Sequence, residues 1–237
     1  MKVLGIIPAR GGSKGIPNKN LRELAGKTLL GYAAEAANAA GIFDRLVLST
    51  DSQAIADLGR RLGLDVPFMR PANLATDDSP MLAVLQHAVT QLEEKGWKAD
   101  IIVLLQATSP LRRAESIVEA VNLLKNGNYD SVVSVVEIPD LYSPQKAMRI
   151  ENGRLEFWSP DGQMITRRQQ VEAAYAREGT VYTCWRNVLI EKGSLYGDKC
   201  LPLVVSLEES LSLDTIDDWS RAEAILLAKQ SQAVESR

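Results

Sequence analysis

These 237 residues predict a single α/β domain on a Rossmann-like, mostly parallel sheet, and three observations carry that reading. Short apolar runs rich in β-branched residues alternate with helical patterns as far as Glu137. The run ADIIVLLQ at 99–106 is almost continuously apolar, as a strand covered on both faces must be. Hydrophobic residues make up 46% of the chain, enough to bury a sizeable core.

In chain order, KVLGIIP (2–8) predicts the first strand, and KTLLGYAAEAANAAG (27–41) a helix that ends near Gly41. DRLVLST (44–50) is the next strand, SQAIADLGRRLG (52–63) the next helix, and VPFMR (66–70) a short strand. A helix around Met81–Glu94 leads to the strand at 99–106, the helix AESIVEAVNLLKNG (114–127) and the strand DSVVSVVEI (130–138). From Pro139 the rhythm changes. MRIENGRLEF (148–157) reads as a hairpin turning at Asn152-Gly153, a pair that tolerates positive φ. The stretch 159–179 is polar and has no clear period. GTVYTCW (179–185) and LPLVVS (201–206) return as strands, TIDDWSRAEAILLAKQ (215–230) closes as a helix, and 231–237 reads as a frayed tail. Residues 139–178 are therefore expected to be an excursion that covers the site or meets a partner subunit.

Composition excludes several classes. A net charge of −3 argues against a general nucleic-acid binder. No stretch approaches the roughly 18 uninterrupted apolar residues of a membrane span, and the longest candidate is broken by Glu35 and Asn38. No secretory leader pattern is visible, so a cytoplasmic location is expected. Cys184 and Cys200 fit neither a disulfide framework nor a zinc pattern and read as reduced thiols. The single histidine, His87, falls on a helix face, and one chain cannot build a histidine dyad around it.

IIPARGGSKGIPNKN (6–20) runs from an apolar strand into glycines and three cations. A Walker loop fails because the residue five positions after Gly11 is Ile16. A dinucleotide fingerprint fails because Gly11 and Gly12 are adjacent. GGSKG matches the G-x-S-x-G of a nucleophile elbow, but Pro17 and the residues after it prolong the loop where an elbow needs a helix. What remains is a glycine-bearing loop at the carboxyl end of the first strand, carrying Arg10, Lys14 and Lys19. Ligands of open α/β sheets bind at that edge, and three cations suit a triphosphate.

This segment, with LSTDS, RPANLATDDSP, LLQATSPLR and SLDTIDDW, resembles the acylneuraminate cytidylyltransferase family, the CMP-sialic acid synthetases, over nearly the whole chain. The resemblance implies transfer of CMP from CTP to the anomeric hydroxyl of a nonulosonic sugar acid, with release of pyrophosphate, Mg²⁺ as cofactor and a homodimer. On it, Arg10, Lys14, Lys19 and Asp214 are the expected catalytic residues. Ala9, Gly11, Gly12, Ser13, Asn20, Arg70, Ser79, Thr108 and Ser109 join Arg10, Lys14 and Lys19 at the nucleotide. Gln106, Lys146, Arg168, Gln169, Gln170, Tyr182, Leu195 and Tyr196 correspond to sugar-acid positions. Two other readings stay open: a nucleotidyltransferase with another nucleotide or acceptor, and a catalytically weak nucleotide-binding paralogue.

The sequence departs from the family pattern at three places. Where the family has D-I-D-T with two acids near the metal, this chain has Ser212-Leu213-Asp214-Thr215, leaving Asp214 as the expected metal ligand. Asp217 and Asp218 are better read as helix N-terminal acids, because Thr215 and Asp218 have capping-box spacing. Glu178 replaces an asparagine, and Ala176 occupies a position that can carry arginine. An acid there disfavours a sugar carboxylate unless a cation partners it, so the expected acceptor is a modified nonulosonate rather than N-acetylneuraminate.

Overall fold

A computed structural model describes residues 1–235, with the side chains of all but 161, 168 and 233–235. In chain order the elements are β1 (Val3–Pro8), β2 (Glu23–Leu24), β3 (Lys27–Thr28), α1 (Leu29–Ala40), β4 (Arg45–Ser49), α2 (Gln53–Arg61), α3 (Met81–Glu94) and β5 (Ile101–Leu104). There follow α4 (Ala114–Asn126), β6 (Ser131–Glu137), β7 (Met148–Glu151), β8 (Arg154–Phe157), β9 (Tyr175–Trp185), α5 (Arg186–Ile190), β10 (Cys200–Val205) and α6 (Ile216–Glu235).

Six strands form one sheet in the order β10-β6-β9-β5-β1-β4. Five run parallel, and β9 is inserted antiparallel between β5 and β6. The connection from β1 leads to β4 on one side, while that from β5 leads to β6 on the other. A crevice must open where neighbouring strands send their chains in opposite directions, here beyond the carboxyl ends of β1 and β5.

Alternation along β1 feeds both faces. Val3 and Ile7 pack with Leu30, Ala37, Ile117 and Val121 under α1 and α4, while Leu4 and Ile6 pack with Leu85, Val89 and Leu92 of α3. Thr28 caps α1 by accepting from the Gly31 N–H, and Gly41 ends it at φ 63°, the left-handed residue that the sequence placed there. A third cluster joins Ile16, Leu24, Leu29, Leu111, Leu213 and Trp219, tying the opening loop to the start of α6.

Three boundaries differ from the sequence expectations. VPFMR forms no strand: a single bridge joins Val47 to Asp65, and Pro67 has no N–H to extend a ladder. β9 begins at Tyr175, inside the expected excursion, because Tyr175–Arg177 pair with Val135–Glu137 beyond a register shift in which the extra residues, 178–181, lie on β9. Ser134 stands opposite them and satisfies the break itself, donating its hydroxyl to the Val181 carbonyl and accepting from the Val181 N–H, both at 2.9 Å. Finally, α6 continues through Glu235 instead of fraying at 231; residues 236–237 lie outside the described residues.

Between β6 and β9 the chain makes the expected hairpin, β7 against β8, with Asn152 at φ 52° and Gly153 at φ 76°. Its apolar side chains are exposed: Ile150 79%, Leu155 64% and the adjoining Trp158 65%.

Candidate active site

The loop after β1 is anchored at several points before it presents any charge. The Ala9 N–H donates to the Ser49 carbonyl (3.0 Å), the Gly11 N–H to Asp51 Oδ1 (2.8 Å), and Asn20 Nδ2 to the Arg10 carbonyl (3.0 Å). Ile16 is fully buried in the third cluster and pins the middle. No helix follows Ser13; turns lead through β2 and β3 to α1, so elbow geometry is absent. A Cβ at Gly15 would lie 2.4 Å from the Asp214 carbonyl oxygen, which makes glycine a packing requirement there.

The cations are arranged unequally. Lys19 is mostly buried, and its Nζ donates to the Leu213 carbonyl at 2.7 Å and lies 3.4 Å from Asp214 Oδ1. Arg10 and Lys14 both reach Asp77: Arg10 Nη2 bonds Oδ1, and Lys14 Nζ sits 2.6 Å from Oδ2. Those two cations, Lys14 first, hold the Asp77 carboxyl below its ordinary range. Lys14 is otherwise open to solvent at 86% side-chain exposure. Replacing it by alanine therefore leaves the fold intact and lowers turnover at least about tenfold, since a charge-assisted contact is worth about 1.5–3 kcal/mol; steady-state kinetics with a melting curve checks both halves.

A cleft of about 160 Å³ opens at the β1–β5 crevice, lined by Pro8, Arg10, Gly12, Ser13, Lys19, Asn20, Arg70, Met81, Gln106, Ala107 and Thr108. Arg70 is buried in its wall and committed to structure, donating Nε to Ser49 Oγ (3.1 Å) and Nη2 to the Ser49 carbonyl. Burial lowers its pKa to about 10. Ser79 is likewise occupied within its loop, accepting from the Thr76 N–H at 3.0 Å. On the far side, the Leu213 N–H donates to the Thr108 carbonyl (2.9 Å), and Ser212 Oγ lies 3.3 Å from both Thr108 Oγ1 and Asp214 Oδ2. The Asp214 side chain is 71% exposed, beside the Ser212 hydroxyl. Carboxylate and hydroxyl oxygens are the hard donors that Mg²⁺ takes, so the set fits that ion. Asp218 is used otherwise: it accepts from the Thr215 N–H (2.8 Å) while Thr215 Oγ1 accepts from the Asp218 N–H (3.2 Å), the capping box the spacing predicts.

β9 packs against the turn that follows β5. Gly179 passes so close beneath the β5 turn that a Cβ there would lie 2.8 Å from Ser109 Oγ and 3.0 Å from Gln106 Oε1. Ser109 itself is fully buried behind Gln106. Arg112, also buried, donates to the carbonyls of Thr180, Gln106 and Gly179. Glu178 Oε2 accepts from Thr180 N and Oγ1, both 2.8 Å, and its charge faces Arg112. The Glu178 acid is thus compensated from within the protein, and it does not by itself bar a carboxylate ligand. Tyr182 packs edge-on to Tyr196 (6.3 Å between ring centres), Leu195 lies in the same cluster, and Arg177 donates to Tyr196 Oη at 2.7 Å. Burial pushes the Tyr182 hydroxyl up to about 12.

The residues expected on the excursion are not among those lining the cleft of this chain. Lys146 is half-buried after the Asp140–Tyr142 turn, Gln169 is exposed, and the Gln170 amide oxygen caps its own turn by accepting from Thr166 and Arg167. The Arg168 side chain lies outside the described residues. His87 stands edge-on to Phe68 (5.1 Å), away from the cleft lining, and Cys184 and Cys200 are unpaired. Sequence reasoning missed Asp51, Asp77 and Arg112, although all three lie in the stretches LSTDS, RPANLATDDSP and LLQATSPLR.

A cationic loop, a carboxylate and a polar strand-end turn converging on the switch point of an open α/β sheet define a nucleotidyltransferase. The model of the cytidylyltransferase family matches residues 4–193. The chain is 34% identical to the CMP-N,N'-diacetyllegionaminic acid synthase of Legionella pneumophila, over 99% of this chain and 100% of that one. It is 29% identical to the pseudaminic acid cytidylyltransferase of Campylobacter jejuni over 98% and 100%, respectively. It belongs to the cytidylyltransferase family. Among solved structures, a CMP-2-keto-3-deoxy-manno-octonic acid synthetase complexed with CTP superposes with a TM-score of 0.74 at 16% identity, covering 97% of this chain and 100% of that one. A 4-diphosphocytidyl-2C-methyl-D-erythritol synthase gives 0.67 at 14% identity, over 95% and 100%. At such identities both support the fold alone.

Proposed function

We propose that the chain transfers CMP from CTP to the anomeric hydroxyl of a nonulosonic acid, a substituted relative of N-acetylneuraminate, and releases pyrophosphate. The observation that carries this is a cleft at the β1–β5 edge lined by Arg10, Lys19 and Thr108, with Lys14 joined to Arg10 through Asp77 and Asp214 3.4 Å from Lys19. Arg10 and Lys14 hold the outer phosphates and offset the charge that grows on the departing pyrophosphate. Lys19, fixed by the Leu213 carbonyl, keeps a third positive charge at the Asp214 end. Gln106, braced by Gly179 and Arg112 and lining the cleft, faces the acceptor. Asp214 is the residue that would hold Mg²⁺, which would supply Lewis-acid polarisation of the triphosphate. The relatives named for legionaminic and pseudaminic acids favour a modified nonulosonate.

A homodimer completes this reading, with the exposed apolar hairpin β7–β8 of one subunit bringing Lys146, Arg168, Gln169 and Gln170 to the partner's site. No helix among the described residues is long and apolar enough to cross a membrane. The two unpaired cysteines suit a cytoplasmic location. Incubation with CTP, Mg²⁺ and a panel of sugar acids, read by mass spectrometry, is expected to give a CMP adduct with a modified nonulosonate in preference to N-acetylneuraminate. Best activity with N-acetylneuraminate removes the acceptor assignment. Ser212 in place of a second acid favours one rival, a nucleotide sensor, which calorimetry reveals as CTP binding with no adduct across the panel.

A further inference from the structure

The two cations best placed to take the outer phosphates are already engaged by an anion of the protein itself. Asp77 uses one carboxylate oxygen for Arg10 and the other for Lys14. Its loop is built to deliver it: Thr76 and Ser79 bond each other at 2.8 Å, Ser79 Oγ donates to the Asn73 carbonyl (3.3 Å), and buried Arg70 reaches the Leu74 carbonyl (3.5 Å). Lys19 stands apart, its amine committed to Leu213 and Asp214. Asp77 therefore contests two cations of the turn and leaves the third alone.

Resting on the nucleotide reading of this cleft, we propose that Asp77 is a specificity-determining residue, a resident counter-ion that competes with ligand phosphates for Arg10 and Lys14. A carboxylate carries one negative charge and exposed ion pairs are weak, so a polyphosphate with several charges displaces it. The phosphodiester group of a CMP-sugar carries a single charge and gains nothing over the carboxylate it would replace. The turn accordingly takes up a triphosphate and does not retain the sugar nucleotide through these cations. When pyrophosphate dissociates, Asp77 recaptures both side chains, which weakens pyrophosphate as a product inhibitor.

The test is calorimetric titration of the wild type and Asp77→Asn with inorganic pyrophosphate, CTP and cytidine. Loss of the competing charge is expected to tighten pyrophosphate and CTP by about three- to tenfold, the worth of two exposed ion pairs, and to leave cytidine unchanged. Pyrophosphate should inhibit the variant at correspondingly lower concentration. Unchanged pyrophosphate binding in Asp77→Asn overturns the proposal while the nucleotide site stands; weaker binding there overturns it too, and its restoration in Asp77→Glu makes Asp77 a support for Arg10. If neither protein binds CTP or pyrophosphate, the proposal and the reading beneath it fall together.

Discussion

Gly15→Ala is expected to lower kcat/KM for CTP by about 30- to 100-fold in a protein that still folds. The added methyl would stand 2.4 Å from the Asp214 carbonyl oxygen; the Cβ position is fixed by the backbone and the carbonyl belongs to it, so neither can rotate away. Relief requires the cationic loop and the 212–214 segment to part. Lys19 bridges the same gap through the Leu213 carbonyl and the Asp214 carboxylate, so the parting spoils the register between the cations and the acid. A misplacement of about 1 Å costs roughly 100-fold in rate when reacting groups must be aligned. The stability cost is smaller, about 1–3 kcal/mol for overpacking, or roughly 2–12 °C in melting temperature at this size. Gly12→Ala is the control, because a Cβ there meets nothing within 4 Å and should leave the melting temperature unchanged. Wild-type CTP kinetics in a folded Gly15→Ala would show that the close approach is incidental.

How much of this was legible in the sequence depends on the range of the forces involved. Elements set by local periodicity and capping were read nearly to the residue: α3 as Met81–Glu94, the hairpin at Asn152-Gly153, and the box between Thr215 and Asp218. The cationic turn was legible because three charges beside glycines after an apolar strand have few structural uses. Features that depend on a distant partner were not. Nothing local marks β9 as antiparallel, and the bulge that lengthens it is satisfied by Ser134, an ordinary residue in a strand pattern. Asp77 is one of two adjacent aspartates in a loop, and only the fold shows that it meets Arg10 and Lys14 across 67 and 63 residues of chain (77 minus 10, 77 minus 14). Glu178 was readable as an acid near the acceptor, but its compensation by Arg112 is a property of the interior.

That interior charge carries the largest stability effect expected of the site. Arg112→Met should lower the melting temperature by about 6–20 °C, corresponding to about 3–5 kcal/mol for removing one partner of a buried charge cluster. Two losses combine. The carbonyls of Gln106, Gly179 and Thr180 lose donors that water cannot easily replace, and Glu178 and Glu209 lose a positive charge that interacts with both. Burial already opposes the guanidinium, lowering its pKa to about 10, yet at neutral pH it stays protonated and the two acids favour that form. The losses separate in a second variant. Glu178→Gln keeps an oxygen for Thr180 N and Oγ1 while removing one unbalanced charge, so the double variant should recover about 1–2 kcal/mol and still lack the carbonyl bonds. Arg112→Lys should fall between, because an ammonium cannot present the planar fork that reaches three carbonyls. Urea denaturation of the four proteins measures the cycle. If Arg112→Met melts within about 2 °C of the wild type, less than 1 kcal/mol at this size, or if Glu178→Gln adds damage instead of recovering it, then β9 is held against the β5 turn by packing and the charges are passengers.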